Sequence, residues 1–301
     1  MEMALYHPEY GYYRRQRDPF GKSGDFFTAS QLQPVFGTLI AARIRDLHRE
    51  MGSPADFTVV ELGAGRREMA PAFSEWKYVP VEADSGTLPE HFLGVVFSNE
   101  FFDALPVVAG IIAEGIPREL RVGFHDKDGF VWVTSGRLGE EAGEYVRKYF
   151  PSLEEGHTFE VNLDALRWLE RITNSLDAGY VFTIDYGFTR REAIRFPAGT
   201  LMSYRRHTAR EDVLNEPGEK DITAHVCFTA LQERGEELGL HTETFESMAQ
   251  TLLKAGEADQ FTAALAAATP EEESRRRLQL KTLLFGMGET FRTLIQRTPK
   301  K

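Results

Sequence analysis

The stretch Thr58-Val-Val-Glu-Leu-Gly-Ala-Gly-Arg66 decides the fold of this chain. An apolar run leads to an acid, Glu61, and Gly63 and Gly65 follow it. A second apolar stretch, Tyr78-Val-Pro-Val-Glu82, also ends in an acid. Buried parallel strands that end at a crevice have this pattern, and glycines there let the backbone turn sharply and approach a ligand. The two stretches therefore predict neighbouring strands of an α/β sheet with a nucleotide-type site at their carboxyl ends.

The spacing of the glycines and acids favours S-adenosylmethionine over a dinucleotide. A dinucleotide site needs a third glycine three residues after the second, and that position is Glu68. S-adenosylmethionine has no phosphates, and its cationic methionine end suits the carboxylate of Glu61. Glu82 would offer a carboxylate to the ribose hydroxyls. A nicotinamide-dependent oxidoreductase is the weaker alternative, and an ordinary strand-to-helix turn would also explain two glycines.

Composition limits the class of protein. A chain of 301 residues with 42% hydrophobic residues can form one domain over 1–301 with a sizeable core. The net charge of -11 argues against a nucleic-acid partner. The single cysteine, Cys227, excludes an internal disulfide and fits a reducing compartment. With no apolar run near the roughly 18 residues of a membrane span, we expect a cytoplasmic protein without a membrane span and leave its oligomeric state open.

Strand and helix patterns alternate along much of the chain and predict a doubly wound α/β sheet. The predicted strands cover 57–61, 78–82, 94–98 and 179–184, and the predicted helices cover 32–51, 66–75, 162–176 and 228–238.

Four regions lie outside this alternation. Residues 1–30 are rich in Tyr, Phe and Gly and form either a strap packed on the core or a lid whose aromatic rings hold a sulfonium. The turn signal Asp126-Lys-Asp-Gly129 predicts an antiparallel hairpin inside an inserted lobe over 107–160. Residues 195–226 are polar and irregular. Residues 240–301 are expected to be helical, with helices over 245–268 and 271–297.

The run Asn99-Glu-Phe-Phe-Asp-Ala-Leu-Pro106 follows a predicted strand and carries two acids. In methyl transfer the protein must align the acceptor with the methyl group and exclude water, and a guanidinium or ammonium acceptor must also lose a proton. Glu100 is the candidate that binds the acceptor's charged group. Asp103 is a second acid or a helix cap.

Two histidines, His207 and His225, lie in the polar stretch without metal-ligand spacing, so no metal site is predicted. His207 is the candidate general base, although isolated histidines of this kind are more often structural groups.

Read in order, the motifs resemble the MidA family of class I S-adenosylmethionine-dependent methyltransferases. The matching stretches are Tyr6-His-Pro-Glu-Tyr-Gly-Tyr-Tyr13, Gly24-Asp-Phe-Phe-Thr28, Val60-Glu-Leu-Gly-Ala-Gly-Arg66, Asn99-Glu-Phe-Phe-Asp-Ala-Leu-Pro106, Asp185-Tyr-Gly187, Gly199-Thr-Leu201, Tyr204-Arg-Arg-His207, Asp221-Ile-Thr-Ala-His-Val226 and Gly286-Met-Gly-Glu289. The family's mitochondrial member methylates arginine in a subunit of respiratory NADH:ubiquinone oxidoreductase and is needed for assembly of that complex. The resemblance implies a Rossmann-like methyltransferase sheet, S-adenosyl-L-methionine as the donor and an accessible arginine of a protein as the acceptor. The predicted donor site then consists of Glu61, Gly63, Ala64, Gly65, Glu82, Asn99, Gly24 and Asp25.

Three departures from the family pattern bear on activity. Arg67 stands where the family motif continues with glycine, and Ala29-Ser30 replaces Ser-Pro. The segment 83–94 is too short for a helix and a strand, so we expect the sheet to lack one edge strand. Arg67 and the short segment favour an alternative function, that of a catalytically impaired protein serving as an assembly or scaffolding factor. The retained acids and glycines favour the enzyme.

Overall fold

The computed structural model describes residues 1–14, 29–84, 86–205 and 208–299. The helices are α1 (Glu2–Tyr6), α2 (Val35–Glu50), α3 (Glu140–Tyr149), α4 (Leu163–Ser175), α5 (Phe228–Glu237), α6 (Met248–Glu257), α7 (Thr262–Leu265) and α8 (Pro270–Lys281). The strands are β1 (Thr58–Leu62), β2 (Lys77–Val81), β3 (Phe92–Asn99), β4 (Val108–Ala113), β5 (Ile116–His125), β6 (Gly129–Arg137), β7 (Thr158–Val161), β8 (Leu176–Phe188), β9 (Met202–Arg205), β10 (Thr208–Arg210), β11 (Asp221–Thr223), β12 (Val226–Cys227), β13 (His241–Ser247) and β14 (Phe291–Arg297). Within the described ranges, no helix combines the length and the apolar character needed to cross a membrane.

The described residues form two compact units. Unit 1 takes its residues from Met1–Phe27, Phe102–Arg167 and Phe188–Leu231. Unit 2 takes its residues from Thr28–Phe101, Trp168–Gly187 and Gln232–Lys301.

Unit 2 is built on a mixed sheet with the strand order β13-β14-β8-β3-β1-β2. Strands β2, β1, β3 and β8 run parallel to one another, whereas β14 is antiparallel to β8 and to β13. The predicted α/β fold class is therefore confirmed. Because the carboxyl ends of the parallel strands lie along one edge, the residues that follow β1, β2 and β3 come together there.

Helix α2 covers one face of this sheet. Its buried side chains recur with helical spacing, as the sequence predicted, and they share a core with Val59 of β1 and with Val95 and Phe97 of β3. The largest members of this core include Phe36, Phe73, Phe97 and Phe182, all completely buried. Burying a large apolar side chain stabilises a fold by roughly 1.5–3 kcal/mol, so this core contributes strongly to the stability of unit 2.

Strand β2 ends the sheet on one side. It pairs with β1, and the chain then continues through residues 82–91 into β3, which pairs with β1 on its other side. In the described part of the chain no further strand adds to β2. The edge strand that the short segment 83–94 cannot supply is thus absent here, as predicted.

Unit 1 contains two small antiparallel sheets. The first has the order β6-β5-β4-β7, and β5 and β6 form the hairpin predicted from Asp126-Lys-Asp-Gly129. The second has the order β10-β9-β11 and lies within 195–226, where the sequence predicted irregular structure. That prediction was wrong because these strands are only three or four residues long, too short for a recognisable alternation.

The predicted N-terminal strap or lid is described over residues 1–14. Leu5 and Tyr12 are buried and pack with Val213 and Ile222 of unit 1. The remainder of the predicted segment, up to residue 28, lies outside the described residues.

The short helix predicted over 66–75 is not formed. Residues 65–75 make successive turns, with hydrogen bonds from Arg67 N to Ala64 O and from Ala70 N to Arg67 O. Arg67 has a φ of 58°, which no helix residue adopts, and Pro71 has no amide hydrogen to donate. Both features oppose a continuous helix.

The prediction of a wholly helical segment over 240–301 was also wrong. Helices α6, α7 and α8 are present, but β13 precedes them and β14 follows them. β14 lies between β13 and β8 in the sheet. Residues 293–296 are all buried, so both faces of β14 are covered and it lacks the alternation that marks a half-buried strand. A short run of this kind cannot be distinguished from a helix by periodicity.

Candidate active site

The glycine loop follows β1 at the carboxyl edge of the unit 2 sheet. Gly63 and Gly65 have φ angles of 65° and 49°, in the left-handed region that favours glycine. A Cβ atom on Gly63 would lie 2.9 Å from Cδ2 of Phe101. The backbone amide of Gly63 donates to the carbonyl of Val81, at 2.8 Å. The loop therefore requires glycine for its conformation and for its closeness to neighbouring residues, as the sequence predicted.

Glu82 follows β2 and contacts this loop directly. Its Oε1 accepts a hydrogen bond of 2.9 Å from the backbone amide of Gly65. Burial raises the pKa of this carboxyl group, while the Gly65 amide and the charge of Arg67 oppose the rise. The predicted juxtaposition of Gly63, Ala64 and Gly65 with Glu82 is thus present in unit 2.

Glu61 is the acid within β1, and its side chain is only 4% exposed. Its Oε2 accepts a hydrogen bond of 2.5 Å from the hydroxyl of Tyr78. Burial raises the pKa of Glu61 to about 7, and the nearby charges of Glu82 and Glu68 add to the rise although the Tyr78 bond opposes it. A cation bound beside this carboxyl group would favour its ionised form.

Asn99 and Glu100 lie where β3 ends. Glu100 has a φ of 53°, and its backbone amide donates to Ile184 O at 3.0 Å. Its Oε1 accepts from the amide of Ala29 at 3.1 Å and from Nδ2 of Asn99 at 3.0 Å. Asn99 Nδ2 also lies 3.4 Å from the hydroxyl of Ser30. The predicted catalytic acid and a predicted donor-site residue are therefore held together by the turn that precedes α2.

One polar residue in this turn, Gln31, is not among the site residues predicted from the sequence. It belongs to the 3₁₀ turn Ala29–Gln31, and both polar atoms of its amide are buried without a hydrogen-bond partner in the described structure. Asn99 Oδ1 is buried and unpartnered in the same sense. A glutamine at the start of a predicted helix gives no sequence signal beyond that of a polar end residue. The position of Gln31 near the site follows only from the tertiary structure, in which this turn packs against the end of β3.

Asp103, the second candidate acid, belongs to unit 1 and is buried there. Its backbone carbonyl accepts from Ala224 N at 3.0 Å, and its charge is one of those that raise the pKa of Tyr13. The main cause of that raised pKa is burial, followed by the charge of Asp221, to which the Tyr13 hydroxyl donates at 2.8 Å. Asp103 thus lies in a buried group of acids and tyrosine hydroxyls.

Only some of the remaining residues singled out in the sequence lie in the described part of the chain. Gly24, Asp25 and His207 lie outside the described residues. His225, the other histidine considered, is in unit 1, with its backbone amide donating to Thr200 Oγ1 at 3.0 Å and its ring 5.2 Å from that of Phe196. Burial lowers its pKa. Across the described ranges, no group of three or more His, Cys, Asp or Glu residues is arranged to hold a metal ion.

Arg67 is the departure from the family pattern that lies nearest to the loop. Its side chain is exposed, and its charge helps to lower the pKa of both Glu82 and Tyr78 against the effect of burial. The guanidinium therefore acts electrostatically on the same carboxylate that contacts Gly65.

A protein-family model matches a large part of this chain. The family model described as "Putative S-adenosyl-L-methionine-dependent methyltransferase" matches residues 69–246. Those residues are more than half of the chain.

Two similar solved structures cover almost the whole chain. One is a COG1565 superfamily member from Burkholderia thailandensis bound to S-adenosyl-homocysteine, with 28% identity and a TM-score of 0.86 over 98% of this chain and 86% of that one. The other is a native COG1565 superfamily protein from Burkholderia thailandensis, also 28% identical, with a TM-score of 0.83 over 98% and 85% of the two chains.

Curated relatives are more distant in sequence. The protein arginine methyltransferase NDUFAF7 homolog, mitochondrial, of Drosophila melanogaster is 27% identical over 79% of this chain, and human protein arginine methyltransferase NDUFAF7, mitochondrial, is 25% identical over 77%. The chain spans 66% of the length of the first relative and 63% of the length of the second.

Proposed function

Since this chain belongs to a family of S-adenosyl-L-methionine-dependent methyltransferases, we propose that it transfers the methyl group to an arginine side chain of a protein. The observation that carries the proposal is the arrangement of Glu100 in unit 2, where its carboxylate is oriented by Ala29 N and Asn99 Nδ2. A carboxylate is the group that matches a guanidinium by charge and by geometry. The names of the Drosophila and human relatives, both called protein arginine methyltransferases, point to the same acceptor.

The residues of unit 2 fit the donor. The glycine loop turns at the carboxyl end of β1 with Gly63 and Gly65 in the left-handed region, Glu82 presents a carboxylate beside it, and Asn99 Oδ1 is buried without a described partner. We assign Gly63, Gly65 and Glu82 to the adenosine part, with Glu82 accepting from the ribose hydroxyls. When bound, the donor supplies an electrophilic methyl group on its sulfonium.

The chain's own residues would prepare the acceptor. Glu100 would accept hydrogen bonds from the guanidinium N–H groups and hold the attacking nitrogen in line. Its negative charge would also stabilise the cation before transfer and receive the proton that the nitrogen loses. Because hydrogen bonds to Ala29 and Asn99 already orient the carboxylate, little reorganisation is needed when the acceptor binds.

Methyl labelling identifies the type of amino acid that accepts the methyl group. The purified protein is incubated with methyl-labelled S-adenosylmethionine and a protein extract, the labelled proteins are hydrolysed, and the methylated amino acids are identified by mass spectrometry. We expect the label in methylarginine and its loss with the Glu100→Gln variant. Label in methyllysine or in a small molecule would refute the arginine acceptor while leaving the methyltransferase activity in place.

A second candidate function is that of a catalytically impaired assembly factor. Arg67 favours it, because its positive charge near Glu82 opposes a cationic donor. Titration calorimetry with S-adenosylmethionine and S-adenosylhomocysteine separates the two functions. Micromolar binding of either ligand supports the enzyme, and absence of binding supports the assembly factor.

Replacement of Glu82 tests the assigned ribose contact. Glu82→Ala should weaken S-adenosylmethionine, S-adenosylhomocysteine and 5′-methylthioadenosine alike, because all three contain the ribose. The expected loss is about 1.5–3 kcal/mol for hydrogen bonds to a charged group, measured as Kd by calorimetry. Glu90→Ala, which removes an exposed carboxylate of the same segment, is the control. Unchanged affinity in Glu82→Ala would show that Glu82 does not contact the ribose.

A further inference from the structure

Gln31 has an amide side chain whose two polar atoms are buried and unsatisfied. Neither Nε2 nor Oε1 has a hydrogen-bond partner in the described structure. A buried polar group without a partner costs about 1–3 kcal/mol, so such groups are few in native proteins and each requires a physical explanation, such as a role in catalysis or the binding of a further group. Among the described residues of unit 2, Gln31 alone has both polar atoms of its side chain buried and unsatisfied.

The location of Gln31 is fixed by its neighbours. Ala29 N donates to Glu100, and Ser30 Oγ contacts Asn99, so the turn that contains Gln31 lies against the carboxyl end of β3. Ala29 also belongs to the core between α2 and the sheet.

Asn99 lies on the same side of the sheet as this core. Val95 and Phe97 of β3 belong to the core, and side chains two residues apart on a strand share a face, so Asn99 continues their row. Glu61 of β1 continues the row of Val59 in the same way. The amide of Asn99 is thus directed to the face on which residues 29–31 approach the strand ends.

The unsatisfied atoms indicate the chemistry of a group that would bind here. Asn99 Nδ2 is used by Glu100 and Ser30, so its unsatisfied atom Oδ1 requires a donor. Gln31 requires both an acceptor for Nε2 and a donor for Oε1. A group that offers both, an ammonium and a carboxylate on one carbon, satisfies all three atoms.

We propose that Gln31 and Asn99 bind the zwitterionic α-amino acid end of the methyl donor. Gln31 Nε2 donates to the carboxylate of the donor, and the oxygens of Gln31 and Asn99 accept from its ammonium group. A guanidinium fits less well, because it has only N–H donors and would leave Gln31 Nε2 unsatisfied. The proposal concerns the donor and does not depend on arginine being the acceptor.

The test compares ligands with and without the amino acid end. Calorimetry is carried out on the full chain with S-adenosylmethionine, S-adenosylhomocysteine and 5′-methylthioadenosine, which has the nucleoside and the sulfur but no amino acid. Gln31→Ala should weaken the first two about ten- to a hundredfold and leave 5′-methylthioadenosine unchanged. Gln31→Glu should show the same pattern, because its carboxylate repels that of the donor while the side chain keeps its size.

A neighbouring glutamine provides the matched control. Gln33 Nε2 donates to Met69 Sδ at 3.0 Å, so its amide is already used, and Gln33→Ala should leave all three affinities unchanged. Equal weakening of 5′-methylthioadenosine by both Gln31 variants would assign Gln31 a structural role and overturn the proposal. Unchanged affinity for all three ligands would overturn it too, and an accompanying rise in the KM of the acceptor would move Gln31 to the acceptor site.

Discussion

Glu100→Gln should abolish methyl transfer to arginine while leaving the donor affinity within about twofold of the wild type. Glutamine keeps the size of the side chain and an oxygen that can accept from Ala29 N and Asn99 Nδ2, so the end of β3 should stay in place. What is lost is the negative charge that binds the guanidinium and receives its proton. Loss of a positioned acid–base group lowers rates about 10²–10⁴-fold, and we expect an effect of this size on kcat/KM.

A second glutamate in the left-handed region supplies a matched control for this variant. Glu114 has a φ of 56°, close to the 53° of Glu100, and lies in the turn between β4 and β5. Glu114→Gln makes the same substitution at a residue with the same backbone conformation, but away from the strand end of unit 2. This variant should retain full activity. If Glu100→Gln transfers methyl groups at the wild-type rate, the acceptor is bound elsewhere.

Glu61→Gln should stabilise the ligand-free protein by about 3 kcal/mol at pH 8 and by almost nothing near pH 4.5. The pKa of Glu61 is raised to about 7 from its ordinary 4.5, chiefly by burial. Between these two values the folded state holds a proton that the unfolded state releases, so stability decreases as the pH rises through this window. Above the folded pKa the cost is complete, and each tenfold difference in proton affinity between the two states contributes about 1.36 kcal/mol to it. Glutamine is neutral at every pH and avoids this cost.

The measurement is urea-induced unfolding of the wild type and the variant at several pH values between 4.5 and 8. The control is Glu90→Gln, which replaces an exposed carboxylate. Its free energy of unfolding should differ little from that of the wild type at any pH. A Glu61→Gln variant whose advantage does not grow between pH 5 and 8 would show that Glu61 is ionised in the folded protein without cost. The same variant should bind S-adenosylmethionine more weakly, since it lacks the charge that attracts the cationic methionine end.

The architecture of unit 2 could be predicted to a large extent from local patterns. The run Thr58–Leu62 is apolar enough to be buried on both faces, and α2 shows its helical period, so both elements are visible in the sequence. The segment 83–94 is too short for a helix and a strand, and its length was sufficient to predict the absent edge strand. The strand β14 could not be predicted, because its partners in β13 and β8 lie 45 or more residues away along the chain (Ser247 and Arg292 are the nearest pair) and because both of its faces are buried, so its sequence shows no alternation.

Some residues of the candidate site could also be predicted from local patterns, and others could not. Gly63, Gly65 and Glu82 could be predicted because short motifs indicate both the backbone turn and the carboxylate at the strand end. In the structure Gly63 and Gly65 have positive φ angles and Gly65 contacts Glu82. Asp103 shares a motif with Glu100 in the sequence, yet it lies in unit 1 with Tyr13 and Asp221 around it. Residues of one sequence motif can therefore have different surroundings in the folded protein.

By itself, the sequence determined the sheet class, the glycine loop and the type of donor, because strand burial, left-handed turns and strand-end acids are properties of a few consecutive residues. Only the tertiary structure decided that burial raises the pKa of Glu61 to about 7 and that the turn containing Gln31 lies against the end of β3. Burial and unsatisfied hydrogen-bonding atoms arise from residues far apart in the chain. Neither quantity exists until the chain has folded.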